Sequence, residues 1–137
     1  GTAAIPEGLY EAYVKYVTPG LSFHEQVWLL ATLLFQSQGF TKMEEKGSAD
    51  PFRGRGLMNL SWDGNYKAAS EYIYKDDRLV KKPDLVAQPE GSWLTALWFW
   101  MTQIRPRLLE KNALDAHDYG HVVDVVNGVN ECSGGPS

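Results

Sequence analysis

The chain has 137 residues, 44% hydrophobic and 22% charged, enough for one domain with a real core and unlike a disordered or fibrous sequence. Its formal charge of -4, without a run of Lys or Arg, offers no field for a polyphosphate backbone, so nucleic acid is not an expected partner. The longest apolar stretch, 27–35, is too short to span a bilayer, and the single cysteine, Cys132, allows neither an intrachain disulfide nor a cysteine zinc site.

Pro/Gly punctuation divides the chain into about four or five helical pieces, so the expected architecture is mainly α. Pro6 suits a first helical position, with Leu9, Tyr10, Tyr13, Val14 and Val17 following as an apolar stripe before Pro19-Gly20 stops the segment. Ser22 and Glu25 form a capping-box pattern that opens a helix predicted over 23–37, closed near Gly39. Glu25, Thr32 and Gln36 share one stripe of that apolar helix, and helix geometry alone favours locally satisfied groups at an edge. The polar, Gly-rich stretch 43–55 reads as a loop carrying Glu44, Glu45, Arg53 and Arg55, with Asp50-Pro51 disfavouring helix. A helix is predicted from Ser61 or Asp63 to Tyr74, burying Tyr66, Ala69, Tyr72 and Ile73. Ser92 is a capping candidate for a helix over 93–104, whose bulky run from Leu97 to Met101 belongs inside. A last short helix over 121–126 ends at Asn127-Gly128.

Three ordered blocks carry more than this. The first is Phe52-Arg53-Gly54-Arg55-Gly56-Leu57-Met58-Asn59-Leu60-Ser61-Trp62. The second joins Pro83-Asp84-Leu85-Val86-Ala87 to Thr95-Ala96-Leu97-Trp98-Phe99-Trp100-Met101-Thr102. The third is Val126-Asn127-Gly128-Val129-Asn130-Glu131-Cys132. In order and content these resemble the signatures of glycoside hydrolase family 19, the first block matching an aromatic-x-Gly-Arg-Gly run that leads into a strand. The resemblance implies a lysozyme-like, two-lobed α-helical domain over residues 1–137, with a cleft for chitin or chitooligosaccharides.

It also implies roles. The family's general acid is a Glu at the end of a long helix, in a His-Glu-x-x-Gly setting. Here Phe35-Gln36-Ser37-Gln38-Gly39-Phe40 holds that register, putting Gln36 at the acid position. The general base lies nine residues further on in compact members, which selects Glu45, with Glu44 as the near alternative and a substrate-binding candidate. Inverting hydrolysis requires an acid and a base roughly 6.5–9.5 Å apart, leaving room for water between base and sugar. Glutamine has the shape of the acid but no proton to give. The resemblance assigns Ser61 to holding the attacking water, and Asn59, Asn65 and Asn127 to hydrogen-bonding the N-acetylated sugars. Arg55, in the Gly-Arg-Gly run, is expected to pair with a carboxylate and fix the catalytic loop, and Trp62 to line the cleft. Trp98 and Trp100 are expected in the core.

No cofactor is expected, and His24, His117 and His121 have no spacing that suggests a metal site. Several features depart from the family pattern: the missing acid and preceding His, Leu94 where a sugar-binding Lys is common, a short 45–52 loop, and no C-terminal helix after Cys132. These lead to an expectation of few sugar subsites. The family implies a monomer acting outside the cell or at its surface. Glutamine at position 36 fits either a substitution made to trap substrate or a natural chitin-binding protein without turnover. A peptidoglycan-cutting endolysin is a further alternative, because both polymers contain N-acetylglucosamine.

Overall fold

The computed structural model describes residues 7–36, 44 and 49–110, the side chains of 35, 36 and 110 excepted. Pro6 and the helix expected over 121–126 lie outside these residues. The described elements are helical. In chain order they are α1 (Leu9–Ala12) continuing into a π-helical turn (Tyr13–Val17), α2 (Phe23–Gln36), α3 (Asp63–Tyr74), α4 (Arg78–Lys81), a 3-10 turn (Pro83–Ala87), α5 (Pro89–Phe99), a second π-helical turn (Trp100–Ile104) and α6 (Arg105–Glu110).

The first helix buries part of the expected stripe. Leu9, Ala12 and Val17 are inside and Tyr13 is half-buried, but Tyr10 is 74% and Val14 44% exposed. The inward face is set by α5, where Trp93 Nε1 donates to Leu9 O at 2.8 Å and the Tyr13 and Trp93 rings sit 5.2 Å apart. Helix α2 begins as read: Ser22 Oγ accepts from Glu25 N–H at 3.3 Å. The Glu25 carboxylate does not close the capping box. It turns inward, 4% exposed, accepting from Trp100 Nε1 at 3.1 Å and lying 3.1 Å from Arg105 Nε. A buried carboxylate is expensive unless paired, so this contact ties the start of α2 to the end of α5 and to α6. Thr32 satisfies itself locally on Trp28 O. The polar stripe is therefore part local, part long-range.

Helix α3 buries Tyr66, Ala69 and Ser70 with Ile73 half-buried, whereas Tyr72, expected inside, is 49% exposed. The inward face runs through 66, 69, 70 and 73, and Tyr72 falls on its flank. Lys75 ends the helix in the left-handed conformation usually taken by Gly, its N–H reaching Glu71 O at 3.1 Å.

Helix α5 starts at Pro89, three residues before the predicted cap. Ser92 is not a cap but a buried tie, its hydroxyl donating to Val86 O at 3.0 Å. Gly91 lets this first turn approach the 3-10 turn, since a Cβ there would stand 2.0 Å from Leu85 O. Neither α4 nor the 3-10 turn was expected from periodicity; both are too short to show one. Trp98 and Trp100 are buried as expected, at 8% and 0% exposure.

Among the described residues two hydrophobic clusters result. One joins α1, α2, α5 and α6 through Leu9, Trp28, Leu33, Trp93, Trp100 and Leu108. The other joins α3, α4 and the 3-10 turn through Leu60, Tyr66, Leu79, Val86 and Trp98. Helix α5 serves both, and Met58 and Phe99 pack against each.

Candidate functional site

Residues 49–62 are held by backbone pairing and by the guanidinium of Arg55. Asp50 starts a turn at Pro51, its Oδ1 accepting from Phe52 N–H at 2.9 Å and its carbonyl from Arg53 N–H at 3.2 Å. Arg55 and Leu60 exchange two backbone hydrogen bonds, of 3.0 and 2.8 Å, around a tight turn, and Trp62 N–H reaches Phe52 O at 2.8 Å. Among the described residues the expected strand is no more than isolated bridges, Arg55 to Leu60 and Glu44 to Arg55. The reason is visible in the backbone: Gly56 (φ 81), Asn59 (φ 58) and Trp62 (φ 80) interrupt any extended run.

Arg55 is the centre of the arrangement. It is 2% exposed, and a buried guanidinium needs its donors filled. Its Nε donates to Glu44 Oε2 at 2.7 Å, and its Nη1 donates to Pro51 O at 2.7 Å and to Tyr66 Oη at 3.0 Å. Nη2 lies 3.4 Å from Asp84 Oδ1. Tyr66 passes the chain on, its hydroxyl donating to Arg53 O at 2.6 Å, while Phe52 packs edge-on against its ring. Arg53 Nη2 also reaches Glu44 Oε2, at 3.1 Å.

The charges shift accordingly. The Arg55 hydrogen bond holds the Glu44 carboxyl below its usual range, outweighing the opposing effect of burial. Burial disfavours the charged Arg55, but bonds from Glu44 and Tyr66 outweigh it and raise its pKa further. Burial raises the Tyr66 phenol, so it stays a neutral donor. The network is ionised at Glu44 and Arg55 and neutral at Tyr66.

The remaining candidates sit on the turn and on the start of α3. Asn59 is exposed, its side chain lying across Gly54, where a Cβ would stand 1.9 Å from Asn59 Oδ1. Ser61 Oγ donates to Asn59 O at 3.0 Å, which leaves its lone pairs for a further donor, and Asn65 Nδ2 donates to Ser61 O at 3.0 Å. Trp62 is 43% exposed and has φ 80 and ψ 141, a region that costs a non-Gly residue about 1–3 kcal/mol. The backbone is strained to present an indole to solvent.

The structure thus brings together Arg55, Glu44, Asn59, Ser61, Trp62 and Asn65. The backbone of Gln36 ends α2. Its side chain, Glu45 and Asn127 lie outside the described residues. Arg55 pairs with Glu44, the residue before the expected base. Sequence reasoning missed two members, Tyr66 and Asp84. Tyr66 was read only as core, and its spacing carries no sign of a working hydroxyl; Asp84 stands in the second block and was quoted there without a role. Gly56, whose Cβ would meet Val86 O at 2.9 Å, packs the turn onto the 3-10 turn, so the first two blocks are in contact. Among the described residues no group of His, Cys, Asp and Glu could hold a metal, and no helix is long and apolar enough to cross a membrane.

Comparison with known proteins identifies the pattern. Residues 36–137 match the family described as chitinase class I. Over 114 residues the chain is 32% identical to the acidic 26 kDa endochitinase of Solanum lycopersicum, covering 72% of this chain and 45% of that protein. A solved bacterial family 19 chitinase is similar at TM-score 0.68 and 29% identity, over 93% of this chain and 75% of that one. Chitinase C from Streptomyces griseus HUT6037 gives TM-score 0.67 at 27% identity, over 94% and 74%. The chain spans less than half the length of the first curated relatives it matches. Its fold is the mainly α, lysozyme-like fold of those chitinases.

Proposed function

Because the chain belongs to glycoside hydrolase family 19, the class I chitinases, we propose that it binds β-1,4-linked N-acetylglucosamine polymers in a groove beside the Arg55–Leu60 turn. The reaction this site is built for is inverting hydrolysis. One carboxyl gives a proton to the glycosidic oxygen, and a second carboxylate takes a proton from water attacking the opposite face. Gln36 stands in the acid's place and Glu45 in the base's, so this chain keeps the binding surface and lacks the proton donor.

The observation that carries the reading is the Glu44–Arg55 pair. Through a 2.7 Å charge-assisted bond and a backbone bridge it fixes the residue next to Glu45 against the turn that bears Asn59 and Ser61. Glu44 then serves sugar binding by holding the loop. Ser61 and Glu45 share the attacking water, while Asn59, Asn65 and Asn127 meet the acetamido groups. Site of action outside the cell or at its surface, and a monomeric state, follow from the family likeness.

Chitin oligosaccharides titrated into the protein should shift NMR resonances of Asn59, Ser61, Trp62 and Asn65. Trp62→Gly should keep the melting temperature, because relief of φ strain offsets the lost packing and the flexibility of Gly to within about 1 kcal/mol. It should lower oligomer affinity by roughly tenfold, the order expected of a stacking indole. Shift changes that cluster elsewhere, or a Trp62→Gly form that binds like the parent, would overturn the site.

A further inference from the structure

The flank of α3 that carries Asn65 does not end there. Asn65, Ala68 and Tyr72 recur at spacings of three and four residues, which puts them on one side of the helix, beside the inward face of Tyr66, Ala69, Ser70 and Ile73. Along this flank Asn65 is half-buried, while Ala68 and Tyr72 are exposed. Ala68, the smallest of them, leaves the surface low between Asn65 and Tyr72. The Tyr72 ring is 49% exposed, and the Lys75 ammonium lies 5.7 Å from its centroid, near the outer limit of a cation–π contact. No hydrogen bond described for this structure uses the Tyr72 hydroxyl. An aromatic ring with a polar tip, kept off the core at the far end of a polar flank, suits the apolar face of a pyranose.

We propose that Tyr72 is the platform of an outlying sugar subsite, reached by a chitin chain that passes the Trp62–Asn65 corner and runs along α3. This rests on the chitin-binding reading above. Seven residues of helix separate Asn65 from Tyr72, roughly 10.5 Å along the axis, which matches a disaccharide step in an extended β-1,4 chain. Short oligomers that fill the corner therefore do not reach the ring; longer ones do. The subsite makes the surface sensitive to chain length despite the short 45–52 loop.

The test is calorimetric binding of a chitin hexasaccharide, and of the shortest chitin oligomer that binds the parent protein, to the parent, Tyr72→Ala and Tyr72→Trp. Tyr72→Ala should lose roughly three- to tenfold in hexasaccharide affinity, keep its affinity for the short oligomer, and keep its melting temperature, and Tyr72→Trp should restore hexasaccharide binding. An unchanged hexasaccharide affinity in Tyr72→Ala, beside a loss in Trp62→Gly, would overturn the subsite and leave the corner standing. Equal losses for both oligomers would also overturn it, by showing that Tyr72 acts on the corner itself. If no oligomer of any length binds the parent protein, the chitin-binding reading fails and takes this inference with it.

Discussion

Glu44 and Arg55 form the ion pair at the centre of the described turn, with Arg53 and Asp84 at its margins. Glu44 is 38% exposed at its side chain and Arg55 3%, so the pair is screened on the carboxylate side and dry on the other. The folded-state pKa of Glu44 is depressed, first by the Arg55 hydrogen bond. A depressed carboxyl contributes stability that is present above its unfolded pKa and is lost as pH falls through the folded one. Thermal denaturation of the parent and Glu44→Gln should therefore differ at neutral pH, with the variant melting lower, and the gap should close as the solution is acidified below the ordinary carboxylate range. A gap that does not change with pH would mean that shape, and not charge, holds the loop. That Arg55 would find a carboxylate was legible in its glycine-flanked motif. Which of two adjacent glutamates it would find was not, because that depends on which side of the chain each presents once Glu44 bridges to Arg55.

Between elements, glycine sets the distances. Gly91 brings the first turn of α5 onto backbone, with Leu85 O 2.0 Å from where a Cβ would be, whereas Gly54 has the exposed side chain of Asn59 in that place. Gly91→Ala should destabilise by about 1–3 kcal/mol or more, since backbone must move. Gly54→Ala should cost less in stability, because a side chain can swing away, but should weaken oligosaccharide binding by displacing Asn59. Denaturant midpoints and binding isotherms of the two variants check this opposite ordering. The boundaries of α2 and α3 were readable from hydrophobic spacing, and both helices run within a residue or two of the expected limits; Ser22 caps α2 as read, but at α3 neither Ser61 nor Asp63 caps, Trp62 standing at the N-cap without a side-chain bond. The start of α5 was misread by preferring Ser92 over Pro89, although Pro at a first helical position was an equally visible signal. In α1 the expected stripe holds at Leu9, Tyr13 and Val17, but Tyr10 and Val14 face solvent and Ala12 is buried instead, because α5 packs on the Leu9 side through Trp93. Such a choice is made by the neighbour, so the segment alone does not contain it.

At the scale of the molecule, the first two blocks read from the sequence join one described cluster to the next. The Gly-Arg-Gly turn leans on the 3-10 turn through Gly56 and Val86, Arg55 reaches Asp84, and α5 with the π-helical turn after it places Trp98 in one core and Trp100 in the other. This is why fold and family were legible from so few residues: motif residues with structural duties leave little freedom in their order. We propose that Gln36, at the end of α2, stands where the family's proton donor belongs, beside a surface that binds chitin. Restoring that donor should separate binding from turnover, since a positioned acid contributes on the order of 10²–10⁴ in rate while the amide already supplies the shape. The most direct measurement is a reducing-end assay of chitin oligosaccharide hydrolysis by the parent and by Gln36→Glu, at oligomer concentrations that saturate both. A rise in kcat of roughly 10² or more is expected in the Glu form. A Gln36→Glu protein that binds the oligomer and cleaves it no faster than the parent would contradict it.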